Sequence, residues 1–511
     1  MTKADRKEAR RAEGGLPRLW RSSTLAPAVA GGALVWAALP PCHLAPLAFL
    51  GPVAWVTLIR QSQLRGGRPY AALWCAGCLF WLAALHWLRL PHWLTIFGWI
   101  AMGIYMGCYL PLFVGLARVA VHRLRVPVVV AAPVVWMGLE LAQGHMLTGF
   151  TMGHLGQTQY RWVALIQISD LAGVYGVGFI VMFVAACLAR ALPLEGQPAC
   201  WWPLAPAAAL LAAVLTYGHL RMVPPGGKAA ARVVLVQGSI DTVLEPEPGS
   251  REKMHSHYYE LTREAMRRFG RGGVDLIVWP ETVFYGWLVT EPGGAGKVAL
   301  EAKLSPRQRT SRANLLAMDQ LVRQEMKRLA AEFGAPMLVG VNRKEFTPEG
   351  VNNYNAAALV RRHGQVAGVY DKMHLVMFGE YIPLADRLPW LVQATPLNRL
   401  GIALQPGRRP VAFRVKGLWI APNICYESVL PHLIRRQINV LEAQGRPPQV
   451  LVNLTNDGWF WGSSELDMHL ACAVLRAVEC RKPFLIAANT GFSAWIDADG
   501  RIRAQGPRRA P

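Results

Sequence analysis

Acidic residues are scarce in this sequence: 32 Asp plus Glu stand against 54 Lys plus Arg, a formal net charge of +22 over 511 residues. Such a balance could serve nucleic acid, but one long arginine cluster is missing. The basic residues sit in short groups between apolar runs, which is how a polytopic membrane protein carries positive charge. Low-complexity repeats are missing too, and 53% hydrophobic residues exclude a disordered chain. Only nine cysteines occur, scattered over two unlike halves, so no disulfide framework is implied. An ATP loop, a zinc-ligand spacing and a flavin motif are all lacking. The expectation is therefore no cofactor, no metal and no nucleic acid.

What is present begins with a basic tail, residues 1–22, holding Lys3, Arg6, Lys7, Arg10, Arg11, Arg18 and Arg21. Apolar runs then repeat too often for a removable signal peptide. Seven crossings are expected, at 24–40, 44–59, 70–88, 93–117, 127–143, 171–189 and 201–219, each near the ~20 residues a bilayer core demands. The first two are short and broken at Pro40 and Pro41, so they read as one helical hairpin. Loop charge sets the orientation. Arg60, Arg65, Arg68, Arg118, Arg123, Arg125 and Arg190 lie on the side of the tail, against Arg89 and Arg161 opposite. That asymmetry places the tail in the cytoplasm and, after seven crossings, everything past His219 outside.

Within this half, the uncharged stretch 144–170 reads as an interfacial loop with an aromatic belt, or as part of a lipid headgroup site. Cys75 and Cys78 have redox spacing but lie in an apolar helix, so packing is expected. Gly173, Gly176 and Gly178 follow no strand, and helix packing is expected there rather than dinucleotide binding.

From about Lys228 the pattern changes. Short β-branched runs (232–237, 275–279, 336–341, 355–360, 365–370, 410–415, 418–424, 450–454, 484–488) alternate with amphipathic helices (251–269, 311–333, 463–480). This reads as an α/β domain over 228–505 with a buried sheet. His255 and His257 read as a solvated pair on a helix, and Cys472 and Cys480 as too far apart along one helix to pair.

Several strands end in reactive groups: a strand stopping at Pro280 delivers Glu281, another delivers Lys372, and a third delivers Cys425. Strand ends in an α/β sheet meet at one edge, where ligands bind. Together the three make sense chemically. A carboxylate takes the thiol proton, the thiolate attacks a carbonyl, and an ammonium lowers the thiol pKa and stabilises the oxyanion. Singly, each has a plainer reading: Glu281 as a helix cap, Lys372 as a solvated charge, Cys425 as a small buried hydrophobe.

The segments Trp279-Pro-Glu281, Tyr370-Asp-Lys372 through Phe-Gly-Glu380, Asn423-Ile-Cys425-Tyr-Glu427 and Asn453-Leu-Thr-Asn-Asp457-Gly-Trp-Phe460 resemble the Glu–Lys–Cys signature of the nitrilase superfamily. With the multi-span first half, residues 24–505 resemble the apolipoprotein N-acyltransferase family. The resemblance implies a polytopic helical membrane domain over 23–221 joined to a periplasmic αββα sandwich, in the bacterial inner membrane. It implies that Cys425 takes an acyl chain from a phospholipid as a thioester. The α-amine of an apolipoprotein's diacylglyceryl-cysteine then receives that chain. Glu281 would be the general base and Lys372 the oxyanion stabiliser, with Glu380 and Glu427 as supporting carboxylates that place Lys372. It also implies closing strands and a last membrane helix, whereas only Gly500 to Pro511 follow Asp499, with no apolar run.

Two other functions stay open on the residues: a membrane-tethered amidase or nitrilase using water, and an inactive lipid-binding or scaffold protein. Finally, the Pro-rich stretch after Glu380, with Leu388, Trp390, Leu391 and Val392, reads as a long loop, and an apolar run through Trp287 follows Glu281. Either both pack on the sheet, or Trp287 and Trp390 form a lid that touches the outer leaflet and lines a lipid path to Cys425.

Overall fold

The computed structural model describes residues 23–508 apart from 195–196, 223–228, 244–246, 271, 294–296, 298–299, 301–302, 304, 386, 388–389, 391–392 and 394–402. The basic tail 1–22 therefore lies outside the described residues. The chain divides into two units. One comprises Met1–Leu88, Ile96–Met146 and Gly153–Arg221; the other comprises Arg89–Thr95, Leu147–Met152 and Met222–Pro511.

The first unit is helical: α1 (Leu25–Ala38), α2 (Leu47–Arg60), α3 (Pro69–Ala84), α4 (Thr95–Gly107), α5 (Tyr109–His122), α6 (Val128–Gln143), α7 (Ser169–Ala191) and α8 (Leu204–Arg221). Among the described residues, three segments are long and apolar enough to cross a membrane: Thr95–His122, which joins α4 and α5, then α7 and α8. The other four are shorter. A 14-residue helix such as α1 is about 21 Å long at 1.5 Å per residue, short of a hydrocarbon core of about 30 Å. The expected hairpin of α1 and α2 forms, pinned where Trp55 Nε1 donates to Ala28 O at 3.1 Å. Arg60 and Arg118, expected in loops, lie instead in α2 and α5. Arg118 Nη1 donates to Leu58 O at 3.0 Å and Arg60 Nη1 to Leu192 O at 3.0 Å, satisfying carbonyls that helix ends leave open. Cys75 and Cys78 are free thiols; Cys78 packs against Gly107 of α4 as expected, whereas Cys75 is exposed and does not. Gly178 does pack, under Met137, but Gly173 has φ 63° and kinks α7, so its use is a backbone angle rather than a helix contact.

The second unit holds two sheets. Strands β1 (Val233–Leu235), β2 (Leu276–Thr290), β3 (Met337–Thr347), β4 (Gly350–Val360) and β5 (Val366–Asp371) lie in sequence order. The other sheet has the order β11-β10-β9-β8-β7-β6, from β6 (Phe413–Val415), β7 (Leu418–Ile424), β8 (Val450–Thr455), β9 (Phe484–Ala488), β10 (Ala494–Ile496) and β11 (Ile502–Gln505). Period-2 alternation explains the layering. Ile277, Trp279, Val339 and Ala358 face α9 (Ser250–Phe269) and α10 (Pro306–Phe333). Their neighbours Leu276, Val278, Leu338 and Ala357 face the second sheet and meet Ile420, Val452 and Ala487. With both faces covered, each strand reads as a continuous apolar run rather than an alternating one. Helices α11 (Pro431–Ala443) and α12 (Glu465–Cys480) complete the second sheet's side, giving the αββα layers. Sharp local signals set the helix ends: Ser305 caps α10 in a capping box with Gln308, and Gly334 closes it at φ 66°.

Three expectations change. β2 does not stop at Pro280. It continues to Thr290, with two register shifts against β3 between Trp279 and Trp287. Proline lacks an N–H to donate, and here that gap falls inside the unpaired bulge, so the strand survives it. Second, 144–170 is not a plain interfacial loop. Met152, His154 and Tyr160 are buried, and only parts such as His145 and Trp162 are exposed. Leu147–Met152 joins the second unit. Third, α11, β10 and β11 were not foreseen; β10 and β11 extend the second sheet at its edge, so strands do follow β9.

Candidate active site

Each suspected reactive residue is placed by a different backbone device. Glu281 sits in the β2 bulge. The bulge presses so close to β3 that a Cβ on Gly340 would meet the Pro280 carbonyl and come within 2.6 Å of Glu281 Cα. Lys372 directly follows β5, and its N–H bonds Asn355 O on β4 at 2.8 Å. Cys425 follows β7 and opens a 3₁₀ turn, Cys425–Val429, with φ 50°. A left-handed conformation in a residue with a Cβ is uncommon, and it presents the thiol on a sharp strand-to-helix corner.

These devices bring Glu281, Lys372 and Glu380 into direct contact. Lys372 Nζ lies 2.9 Å from Glu380 Oε1 and 3.3 Å from Glu281 Oε1. Asn355 Nδ2 donates to the same two oxygens, at 2.6 Å to Glu281 and 3.1 Å to Glu380. The Asn456 backbone N–H, just past β8, donates to Glu281 Oε2 at 3.0 Å, so the general-base candidate is tied to both sheets. Lys372 is 1% exposed. Burial would drive its ammonium down, but Glu380 and then Glu281 outweigh it and hold the charge well above the ordinary lysine value. Cys425 belongs to the same electrostatic cluster. Burial and then Glu281 push its thiol up, and Lys372 opposes them. The resting thiol is therefore neutral and its proton must be taken by a base.

Glu427 acts on the backbone around Lys372 and Cys425. It makes no bond to Lys372. Its oxygens accept from the backbone N–H groups of Met373 (2.7 Å), His374 (3.1 Å) and Ile424 (2.7 Å), and from Tyr370 OH (2.9 and 2.8 Å). One buried carboxylate thus ties the turn after Lys372 to the corner before Cys425. Glu380, by contrast, both contacts Lys372 and accepts from Val376 N at 2.9 Å. Leu147–Met152 closes over this corner. Tyr426 OH donates to Gly149 O at 2.8 Å, and Thr151 Oγ1 to Val429 O at 2.6 Å.

The remaining candidates lie elsewhere. Trp287 is inside β2, half-buried, with Lys344 Nζ 4.2 Å from its ring centroid. Trp390 is 61% exposed; Leu388, Leu391 and Val392 lie outside the described residues. His255 and His257 are not a solvated pair. His255 packs against Trp279 and Phe284, and His257 Nε2 bonds Gly238 O at 3.0 Å. Sequence reasoning missed Asn355 and Asn456. For Asn355 the available signal was an amide side chain at the head of an apolar run; Asn456 uses its backbone N–H, which no residue type announces.

The comparisons with known proteins follow the same division of the chain. Residues 31–187 match the apolipoprotein N-acyltransferase N-terminal domain, and residues 232–511 match carbon-nitrogen hydrolase. An apolipoprotein N-acyltransferase of Rhodopirellula baltica is 30% identical over 504 residues, covering 92% of this chain and 87% of that protein. One of Geobacter metallireducens is 31% identical over 499 residues, covering 94% and 86%. A solved amidase from Nesterenkonia sp. is more distant, at 18% identity and a TM-score of 0.34 over 55% of this chain and 88% of its own. Because both halves match and the similarity runs through nearly the whole length, the chain belongs to the apolipoprotein N-acyltransferase family.

Proposed function

We propose that the chain moves an acyl group from a membrane phospholipid to the α-amine of an apolipoprotein's N-terminal diacylglyceryl-cysteine, through a thioester on Cys425. The setting is the bacterial inner membrane, with the catalytic unit on the periplasmic face. The observation that carries the reading is the buried Lys372, shared between Glu281 and Glu380 in the electrostatic cluster of a left-handed Cys425.

In the first half, Glu281 takes the Cys425 proton as sulfur attacks the ester carbonyl. The carbonyl oxygen becomes an oxyanion beside the Lys372 ammonium. Collapse breaks the bond to the glycerol oxygen, which leaves with the proton from Glu281 as lysophospholipid. In the second half the lipoprotein amine attacks the thioester, its proton passes to Glu281, and the C–S bond breaks. Returning that proton to sulfur restores the enzyme. A thioester is reactive enough to acylate an amine, so the sequence needs no other energy source.

Mass spectrometry of the full chain in lipid tests this. With phospholipid alone, the wild type should gain one acyl chain on Cys425 and stall; a diacylated lipopeptide should then discharge it as a triacylated product. Cys425→Ala should do neither. Acyl transfer by Cys425→Ala would end the mechanism, and steady release of free fatty acid without lipopeptide would favour a hydrolase that uses water.

A further inference from the structure

Behind the nucleophile lies a buried polar group that the steps above do not use. The turn after β8 carries Asp457 inward, and α12 brings Glu465 and His469 beside it; the three are 3%, 3% and 4% exposed. His469 Nδ1 lies 3.1 and 3.3 Å from the two Asp457 oxygens, and its Nε2 lies 2.7 Å from Ser428 Oγ. Ser428 Oγ is 3.1 Å from the carbonyl oxygen of Cys425. Asn453 Nδ2 donates to that carbonyl as well, at 3.1 Å.

The hydrogens can be counted. Ser428 has one hydroxyl hydrogen. If it goes to the Cys425 carbonyl, Nε2 must donate to Ser428, while Nδ1 donates to Asp457. The chain is complete only with an imidazolium held between a carboxylate and the serine. Asp457 favours that charge, although burial opposes it. Glu465 is pushed towards its neutral form by burial and then by Asp457 and Asp467, which leaves Asp457 as the adjacent carboxylate to balance the imidazolium. A divalent cation on the same three residues would need Nδ1 stripped of its proton and Glu465 ionised, so the hydrogen-bond accounting favours the proton chain.

Cys425 needs such support. Its φ of 50° is a left-handed backbone that a residue with a Cβ rarely adopts unless its surroundings hold it there. We propose that Asp457, His469 and Ser428 form a positioning chain that grips the Cys425 carbonyl and holds the nucleophile's backbone in its left-handed corner. All three are buried, so they would act through the Cys425 backbone rather than on substrate. The proposal rests on the reading of Cys425 as the nucleophile.

The test uses the full chain in phospholipid bicelles and measures single-turnover acylation of Cys425 across donor concentrations. Ser428→Ala and His469→Gln should each lower the limiting rate by about tenfold, the loss expected when a charge-assisted contact disappears. Half-saturation by donor should stay within about twofold, since positioning acts on the chemical step and not on uniform binding. The double variant should be no slower than the slower single, because both cut one chain. Ser428→Ala removes one atom, so it carries the test if His469→Gln does not fold. Near-wild-type rates in Ser428→Ala, additive losses, a shift confined to half-saturation, or loss of wild-type rate to a chelator would each overturn the proposal. Acylation of Cys425→Ala would instead end the nucleophile reading, so the two failures are distinguishable.

Discussion

Lys372 shows how charge placement decides chemistry at the level of one residue. A buried ammonium alone would shed its proton; two carboxylates, Glu380 at 2.9 Å and Glu281 at 3.3 Å, keep it charged. The Cys425 thiol is raised by burial first and Glu281 second, with Lys372 pulling the other way. The sign for a variant follows. Lys372→Met removes an opposing charge, so the thiol goes higher still and less thiolate exists at any given pH. Alkylation of Cys425 by iodoacetamide should then show its rise with pH displaced upward, with a rate about tenfold slower at fixed pH. An unshifted profile would mean that Lys372 does not couple to the thiol. Glu427 belongs to the same scale. Its identity as a carboxylate beside Cys425 is plain in the sequence, but its backbone-tying role is not, because its partners lie 50 or more residues away or on the main chain.

At the scale of elements, β2 is the decisive strand. Its hydrophobic run announces a buried strand, yet the bulge that carries Glu281 depends on Gly340 of the neighbouring strand. Gly340→Ala should therefore cost about 1–3 kcal/mol, the usual range for overpacking, and displace Glu281. Thermal unfolding should fall by several degrees, and acylation of Cys425 should fall further than the loss of folded protein accounts for. Full activity together with a lowered melting temperature would separate the bulge from the carboxylate's placement. Most strand and helix positions in the second unit were legible because period-2 and period-3.6 patterns survive in those segments; α11, β10 and β11 were not. Extension of β2 past Pro280 was not, since a proline is read as a stop unless its missing donor falls opposite an unpaired stretch.

For the whole molecule, the loop arginines motivate a topology that labelling can check. Cysteines introduced at Gly66 and Leu124, both exposed, should react only from the cytoplasmic side, and those at Arg161 and Leu321 only from the periplasmic side. Native exposed Cys42, Cys75 and Cys108 would first be replaced. Cytoplasmic reaction at Leu321 would show that the seven expected crossings are miscounted and that the substrate side is reversed.

Local pattern alone determined the two-part organisation, the apolar helices, most strands of the α/β half, and the residue types Lys372 and Cys425 at strand ends and Glu281 on an apolar strand. These are short-range properties, carried by composition and periodicity within some ten residues. Tertiary structure decided the rest. It brought Asn355 of one sheet and Asn456 of the other onto Glu281, drew Leu147–Met152 onto Tyr426 and Val429, and set His469 between Asp457 and Ser428. Each of these links joins segments far apart in sequence. A hydrogen bond across a fold depends on where two backbones meet in space, and no spacing along the chain records that distance.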